Sequence, residues 1–163
     1  MKPSLCLLIT ALFLVSCDQQ EVATTNRAAP VVVDGSRLVM RNEIAYEINS
    51  TTPFTGDVLT YHENGQLSSR AATKDGKLDG ITETYFENGK LSYRANTKDG
   101  ELDGITENYF ENGTLKSRMN LKDGEPDGIS ERYSEDGTLR SRTNFKDGEQ
   151  LGQCYEPGCT DFN

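Results

Sequence analysis

The chain has no tryptophan and a single histidine, His62, so it offers no imidazole pair for a metal site or a proton relay. Cations are scarce as well: 17 Lys and Arg stand against 26 Asp and Glu, a formal net charge of −9. Such a surface repels phosphate backbones and anionic headgroups, which disfavours nucleic acid as a partner and lipid headgroups as ligands. Only one long apolar run occurs, LCLLITALFLV at 5–15, and it is shorter than the roughly 20 residues of a membrane span. No stretch carries a helical period long enough for an amphipathic helix.

What is present begins with a targeting signal. Lys2 precedes the apolar run, and Leu14-Val15-Ser16-Cys17 follows it and resembles the bacterial lipobox, in which the cysteine is acylated and becomes the new N-terminus. The resemblance implies a signal peptide at 1–16, lipidation (palmitate-type) of Cys17 and a membrane-held protein of the bacterial cell envelope. An ordinary secretory signal with a free Cys17 is the alternative. Residues 17–37 are small and polar and read as a flexible tether with a mean reach of about 25 Å. At the other end, Cys154 and Cys159 flank a Glu-Pro-Gly turn. Outside the cytoplasm that spacing favours a disulfide, closing a cap at 153–163. A metal site is the alternative, but these two thiols and one histidine fall short of four ligands.

Between these ends the chain repeats itself. Gly56, Gly80, Gly104, Gly128 and Gly152 are 24 residues apart, as are Tyr61, Tyr85, Tyr109 and Tyr133, and no insertion breaks the step. Each unit holds two turns, Glu-Asn/Asp-Gly and Lys-Asp-Gly, with short segments between them, so two strands per unit are expected. Units fall at 56–79, 80–103, 104–127 and 128–151, after a lead-in at 38–55 with its own hairpin, Leu38–Arg41 and Ile44–Glu47. One unit buries about four apolar side chains at roughly 1.5–3 kcal/mol each. Its backbone ordering costs about 1–2 kcal/mol per residue, so units must stack to fold. The expected fold is all-β: an elongated, open-ended, single-layer antiparallel hairpin array over 38–152.

The register depends on the first turn. A two-residue Asn-Gly loop would set Glu83 opposite Arg94 and Tyr85 opposite Ser92. A three-residue Glu-Asn-Gly loop would set Tyr85 opposite Leu91 and Ile81 opposite Ala95. The second arrangement is preferred because it gathers Ile81, Tyr85, Leu91, Tyr93 and Ala95 on one face and because Leu59 then joins them.

Gly80, Tyr85, Asn88-Gly89 and Leu91, with their equivalents in the neighbouring units, resemble the MORN-variant repeats of bacterial proteins, as does the lead-in YEINSTTPFTG at 46–56. That resemblance implies a repeat architecture and little about activity. The chain lacks the tryptophan and the denser glycine pattern of the eukaryotic-type unit, so the lipid-binding role suggested for that branch does not carry over. Some bacterial relatives are labelled antitoxin or immunity proteins.

The chemistry of an enzyme is not legible. His62 is replaced at equivalent positions by Phe86, Phe110 and Ser134, and no nucleophile, base or phosphate loop accompanies it. Acids at Asp99, Glu101 and Asp103 could meet calcium, but Lys98 stands beside them and the spacing is that of a solvated turn. No catalytic residue, cofactor or metal ligand is assigned. The expected function is binding of a protein partner, through candidate residues Tyr85, Leu91, Tyr93, Tyr109, Leu115, Met119, Leu121 and Phe145. Toxin capture, self-association and a purely structural spacer are the alternatives. Contact with the membrane would run through the N-terminal lipid.

Overall fold

A computed structural model describes residues 31–155. The lipobox, Cys17 and Cys159 lie outside the described residues. The strands are β1 (Val32–Asp34), β2 (Leu38–Arg41), β3 (Ile44–Glu47), β4 (Gly56–Tyr61), β5 (Leu67–Lys74), β6 (Lys77–Tyr85), β7 (Leu91–Lys98), β8 (Glu101–Tyr109), β9 (Leu115–Lys122), β10 (Glu125–Tyr133), β11 (Leu139–Lys146) and β12 (Glu149–Tyr155). Strands β4 to β12 pair in chain order as an antiparallel meander within one open sheet, and β2 and β3 form a separate hairpin. The all-β repeat array expected from the period is therefore the fold, and the lead-in hairpin forms at the residues expected of it.

Two turn chemistries alternate along the array. In the first, Gly89 N–H donates to Phe86 O at 2.8 Å and Phe86 N–H to Lys90 O at 2.8 Å, a three-residue Glu87-Asn88-Gly89 loop with Gly89 at φ 78°. That left-handed conformation admits glycine without steric cost. In the second, Asp75 (φ 49°) and Gly76 (φ 79°) make a two-residue turn between the paired Lys74 and Lys77. Aspartate tolerates the left-handed region better than most side chains, so Asp-Gly recurs there.

The sheet corrects the expected distribution of side chains. Tyr85 does oppose Leu91, but a bulge follows, and beyond it Thr84 opposes Tyr93, Glu83 opposes Arg94, Thr82 opposes Ala95 and Ile81 opposes Asn96. The extra residue, Ser92, resets the parity of the strand. One face consequently carries Ile81, Glu83, Tyr85, Leu91, Arg94 and Asn96. The other carries Thr82, Thr84, Ser92, Tyr93, Ala95 and Thr97, with the Thr84 and Ser92 hydroxyls 2.7 Å apart across the bulge. Neither face is the apolar one that was expected.

Units are stitched at both rows of turns. Asn64, Asn88 and Asn112 each donate from Nδ2 to the carbonyl of Glu87, Glu111 and Glu135 in the next turn, all at 3.1 Å. The fourth unit has Asp136 here, which cannot donate. It instead accepts from Ser134 Oγ and Thr138 N–H, bonds that hold its pKa down to about 2. On the opposite side, Gly100, Gly124 and Gly148 donate to Leu78, Leu102 and Pro126 of the preceding unit at 2.8–2.9 Å.

The N-terminal end departs from the expected tether and from a purely antiparallel sheet. Val32–Asp34 is a strand, paired in parallel with β4 through Val33 opposite Val58. It covers the edge that β4 would otherwise leave open. Gly76 is bonded into the lead-in: its N–H donates to Phe54 O at 2.7 Å and its carbonyl accepts from Ala45 N–H at 2.9 Å. Val33, Ala45 and Phe54 form the small apolar core at this end. Among the described residues no large side chain is fully buried, so cross-strand pairs and ladders hold the array in place of a central core. At the C-terminal end Cys154 is disulfide-bonded.

Candidate functional site

The first face is built around a ladder of alternating charge. Arg70, Glu83, Arg94, Glu107, Arg118, Glu131 and Arg142 oppose one another strand by strand across β5 to β11. Within each unit the arginine grips one carboxylate oxygen through both Nε and a terminal nitrogen: Arg94 on Glu83 at 3.0 and 2.8 Å, Arg118 on Glu107 at 2.9 and 2.7 Å, Arg142 on Glu131 at 3.0 and 2.9 Å. The second oxygen accepts from the tyrosine two residues on, as Tyr85, Tyr109 and Tyr133 at 2.7–2.8 Å. Each ring is thus laid along its own strand. Partial burial pushes these carboxyls up, but the tyrosine hydroxyls and arginines together outweigh it and hold them below the usual carboxylate range. Burial and the bond to the carboxylate raise the tyrosines in turn.

The first unit shows how far this arrangement can be permuted. Leu59 occupies the glutamate position and Asp57 the isoleucine position, so acid and aliphatic side chain have exchanged places on the same face. Arg70 follows the carboxylate and bonds Asp57 at 2.7 Å. Tyr61, with Leu59 in place of its glutamate, is 52% exposed.

The second face is the more enclosed of the two. Thr73, Ala95, Thr97, Leu121, Ser130, Ser141 and Thr143 are buried there, whereas Ile81, Ile105 and Ile129 on the first face are about half exposed. Thr82 and Thr106 flank the completely covered Ala95, and their hydroxyls are shielded from solvent without a hydrogen-bond partner among the described residues. Towards β9–β12 the face opens into a cleft of about 230 Å³ whose lining includes Met119, Arg132, Phe145 and Gln153. Two further cations, Lys116 and Arg140, sit at bulge positions on the neighbouring strands, with the Lys116 ammonium 5.6 Å from the centre of the Phe110 ring.

The eight candidate binding residues are therefore not one surface. Tyr85, Leu91, Tyr109 and Leu115 belong to the first face, and Tyr93, Met119, Leu121 and Phe145 to the second, where Leu121 is buried. Lys116, Arg132 and Arg140 lie on or beside the second face and are not among these candidates. They too vary between units, because Ser92 stands where Lys116 and Arg140 do, and Thr84 where Arg132 does. His62 accounts for itself structurally: Nε2 lies 2.9 Å from Tyr85 O, joining the first two units. Among the described residues no three His, Cys, Asp or Glu side chains converge as metal ligands, and no helix is long and apolar enough to cross a membrane.

The MORN repeat variant model matches residues 54–75, 78–99, 102–123 and 126–147, more than half of the chain. Each match spans one hairpin closed by a three-residue loop, from β4–β5 to β10–β11. The chain belongs to the MORN repeat variant family. Its MORN array is a repeat scaffold, of a family that is generally non-catalytic. No curated protein matches the chain. Among solved structures, the crystal structure of accessory secretory protein 1, 2 and 3 in Streptococcus pneumoniae is 17% identical and covers 73% of this chain and 20% of that one, at a TM-score of 0.23. This MORN chain thus spans about a fifth of that solved chain.

Proposed function

We propose that this is a non-enzymatic, lipid-anchored envelope protein that binds another protein through the second face of its sheet, while the first face holds the array together. One observation carries the reading. In the last three units the first face repeats six residues without change, from Ile81, Ile105 and Ile129 through to Asn96, Asn120 and Asn144, whereas no position of the second face is the same in all three. Ala95, Met119 and Thr143 are equivalent there, as are Thr97, Leu121 and Phe145. A surface whose task is to grip the next unit is free to repeat. A surface that fits a globular partner must vary as the partner does, and a spacer needs no such variation.

The anchor rests on Leu14-Val15-Ser16-Cys17 closing an apolar run. Cys17→Ser should release the protein from membranes, and unchanged membrane association would remove that element. The binding face is tested by placing a photocrosslinking residue at Met119 or Phe145 and, separately, at Ile105 or Tyr109 in cells. Adducts of defined mass should form from the first pair. Adducts from the second pair alone would reverse the assignment of the faces.

A further inference from the structure

The second face differs from the rest of the molecule in charge. Two rows cross it in full: Val58, Ala71, Thr82, Ala95, Thr106, Met119, Ser130, Thr143 and Gln153, then Thr60, Ser69, Thr84, Tyr93, Asn108, Ser117, Arg132, Ser141 and Tyr155. Neither row contains a carboxylate, in a chain of net charge −9. The charged residue they do contain is Arg132. Lys116 and Arg140 are the bulge residues next to Ser117 and Ser141, which oppose Arg132 from either side. Three cations thus occupy three consecutive strands at one end of the face. All three are exposed, and no ion pair is formed by them among the described residues. The contrast with Arg94, Arg118 and Arg142 is direct, since those arginines are spent on the first-face ladder.

We infer that the C-terminal half of this face takes an acidic peptide segment of the partner, with carboxylates on Lys116, Arg132 and Arg140 and an apolar side chain in the cleft between Met119 and Phe145. This rests on the reading of the second face as the docking face. A short segment suits the charge pattern better than a polymer. Two or three carboxylates meet chiefly the local cations, with Asp136 the acid that acts on Arg140, whereas a nucleic acid or an anionic bilayer would also meet the surplus of acids elsewhere on the chain. The apolar floor beside the cations supplies the area that charge pairs on an exposed surface cannot.

The repeat supplies the control. Unit two carries Ser92 and Thr84 at the equivalent positions, so Lys116→Ser, Arg132→Thr and Arg140→Ser install residues that the same backbone already accepts. The full chain and this triple variant are titrated, by fluorescence anisotropy, with a labelled hexapeptide Asp-Asp-Phe-Asp-Asp-Phe and with its Asn-for-Asp counterpart. Binding of the acidic peptide should weaken about tenfold in the variant and should fall with added salt, and the neutral peptide should bind at least about tenfold more weakly than the acidic one. Equal binding of the two peptides, an undiminished variant, or binding of phosphatidylglycerol vesicles in place of the peptide overturns the inference. The crosslink from Met119 separates the two levels. If it persists in the triple variant, the docking face stands and its acidic ligand falls; if the unaltered full chain forms none, both fall.

Discussion

The two faces of this sheet share a backbone, a solvent and a repeat, yet they have been used in opposite ways. On the first, the Glu107 side chain is 11% exposed and accepts from Arg118 and Tyr109, and the same triad recurs at Glu83 and Glu131. On the second, equivalent positions hold Thr84, Asn108 and Arg132, and only the local fit changes. A single-layer sheet has little core to bury, so its stability must come from interactions between neighbouring strands. Assigning that task to one face releases the other from it. The first unit shows the boundary of this freedom: acid and aliphatic residue can trade places at Asp57 and Leu59, provided an arginine still finds its carboxylate.

The largest effect that should separate the faces is acid. Glu83, Glu107 and Glu131 are held below their unfolded value of about 4.3, so their contribution is full above that pH and is lost as pH falls through the folded values. Tyr85, Tyr109 and Tyr133 are raised, so their contribution is full below about pH 10 and is lost as pH rises further. Thermal melts should decline at both extremes. A melting temperature unchanged between pH 7 and pH 3 would remove the ladder from the account.

A smaller effect is expected at the turns. Asn88→Asp deletes the donor to Glu111 O and should cost about 1 kcal/mol in urea unfolding. Asp136→Asn keeps an Oδ1 acceptor for Ser134 and Thr138 but finds no following turn among the described residues to donate to, so it should leave stability within about 0.5 kcal/mol. An Asn88→Asp chain as stable as the unaltered one would show that turn-to-turn bonding contributes nothing. Smaller still is the first unit, where Asp57→Ile with Leu59→Glu restores the pattern of its neighbours. Stabilisation by about 0.5 kcal/mol is expected, with Tyr61 acquiring an acceptor. A loss in place of that gain would mean that β1, which pairs with β4 there, needs the permuted arrangement.

Much of the architecture was legible before any coordinates. The 24-residue step, the hairpins, the three-residue loop and the Tyr85–Leu91 pairing all follow from glycine, asparagine and tyrosine positions. The faces were not, and the cause is one residue per unit. Ser92, Lys116 and Arg140 have nothing in common that marks a bulge, yet the bulge makes both candidate registers correct, one on each side of it. Leu59 then misled because it had exchanged places with Asp57. The three residues of β1 carry no period that marks a strand, and what orders them is the free edge of β4, a contact that sequence spacing does not reveal. Of the candidate surface, Tyr93, Met119 and Phe145 stand out because they vary between units. The three cations vary too, but charged strand residues are ordinarily solvent-facing and attract no notice.

The division of labour itself is tested most directly by urea unfolding of two variants beside the unaltered chain: Glu107→Ala on the first face, and Lys116→Ser, Arg132→Thr and Arg140→Ser together on the second. The account predicts a loss of about 2 kcal/mol for the single first-face change. It predicts a shift within about 0.5 kcal/mol for the three second-face changes combined. The reverse order, a stable Glu107→Ala chain and an unstable triple variant, would contradict it.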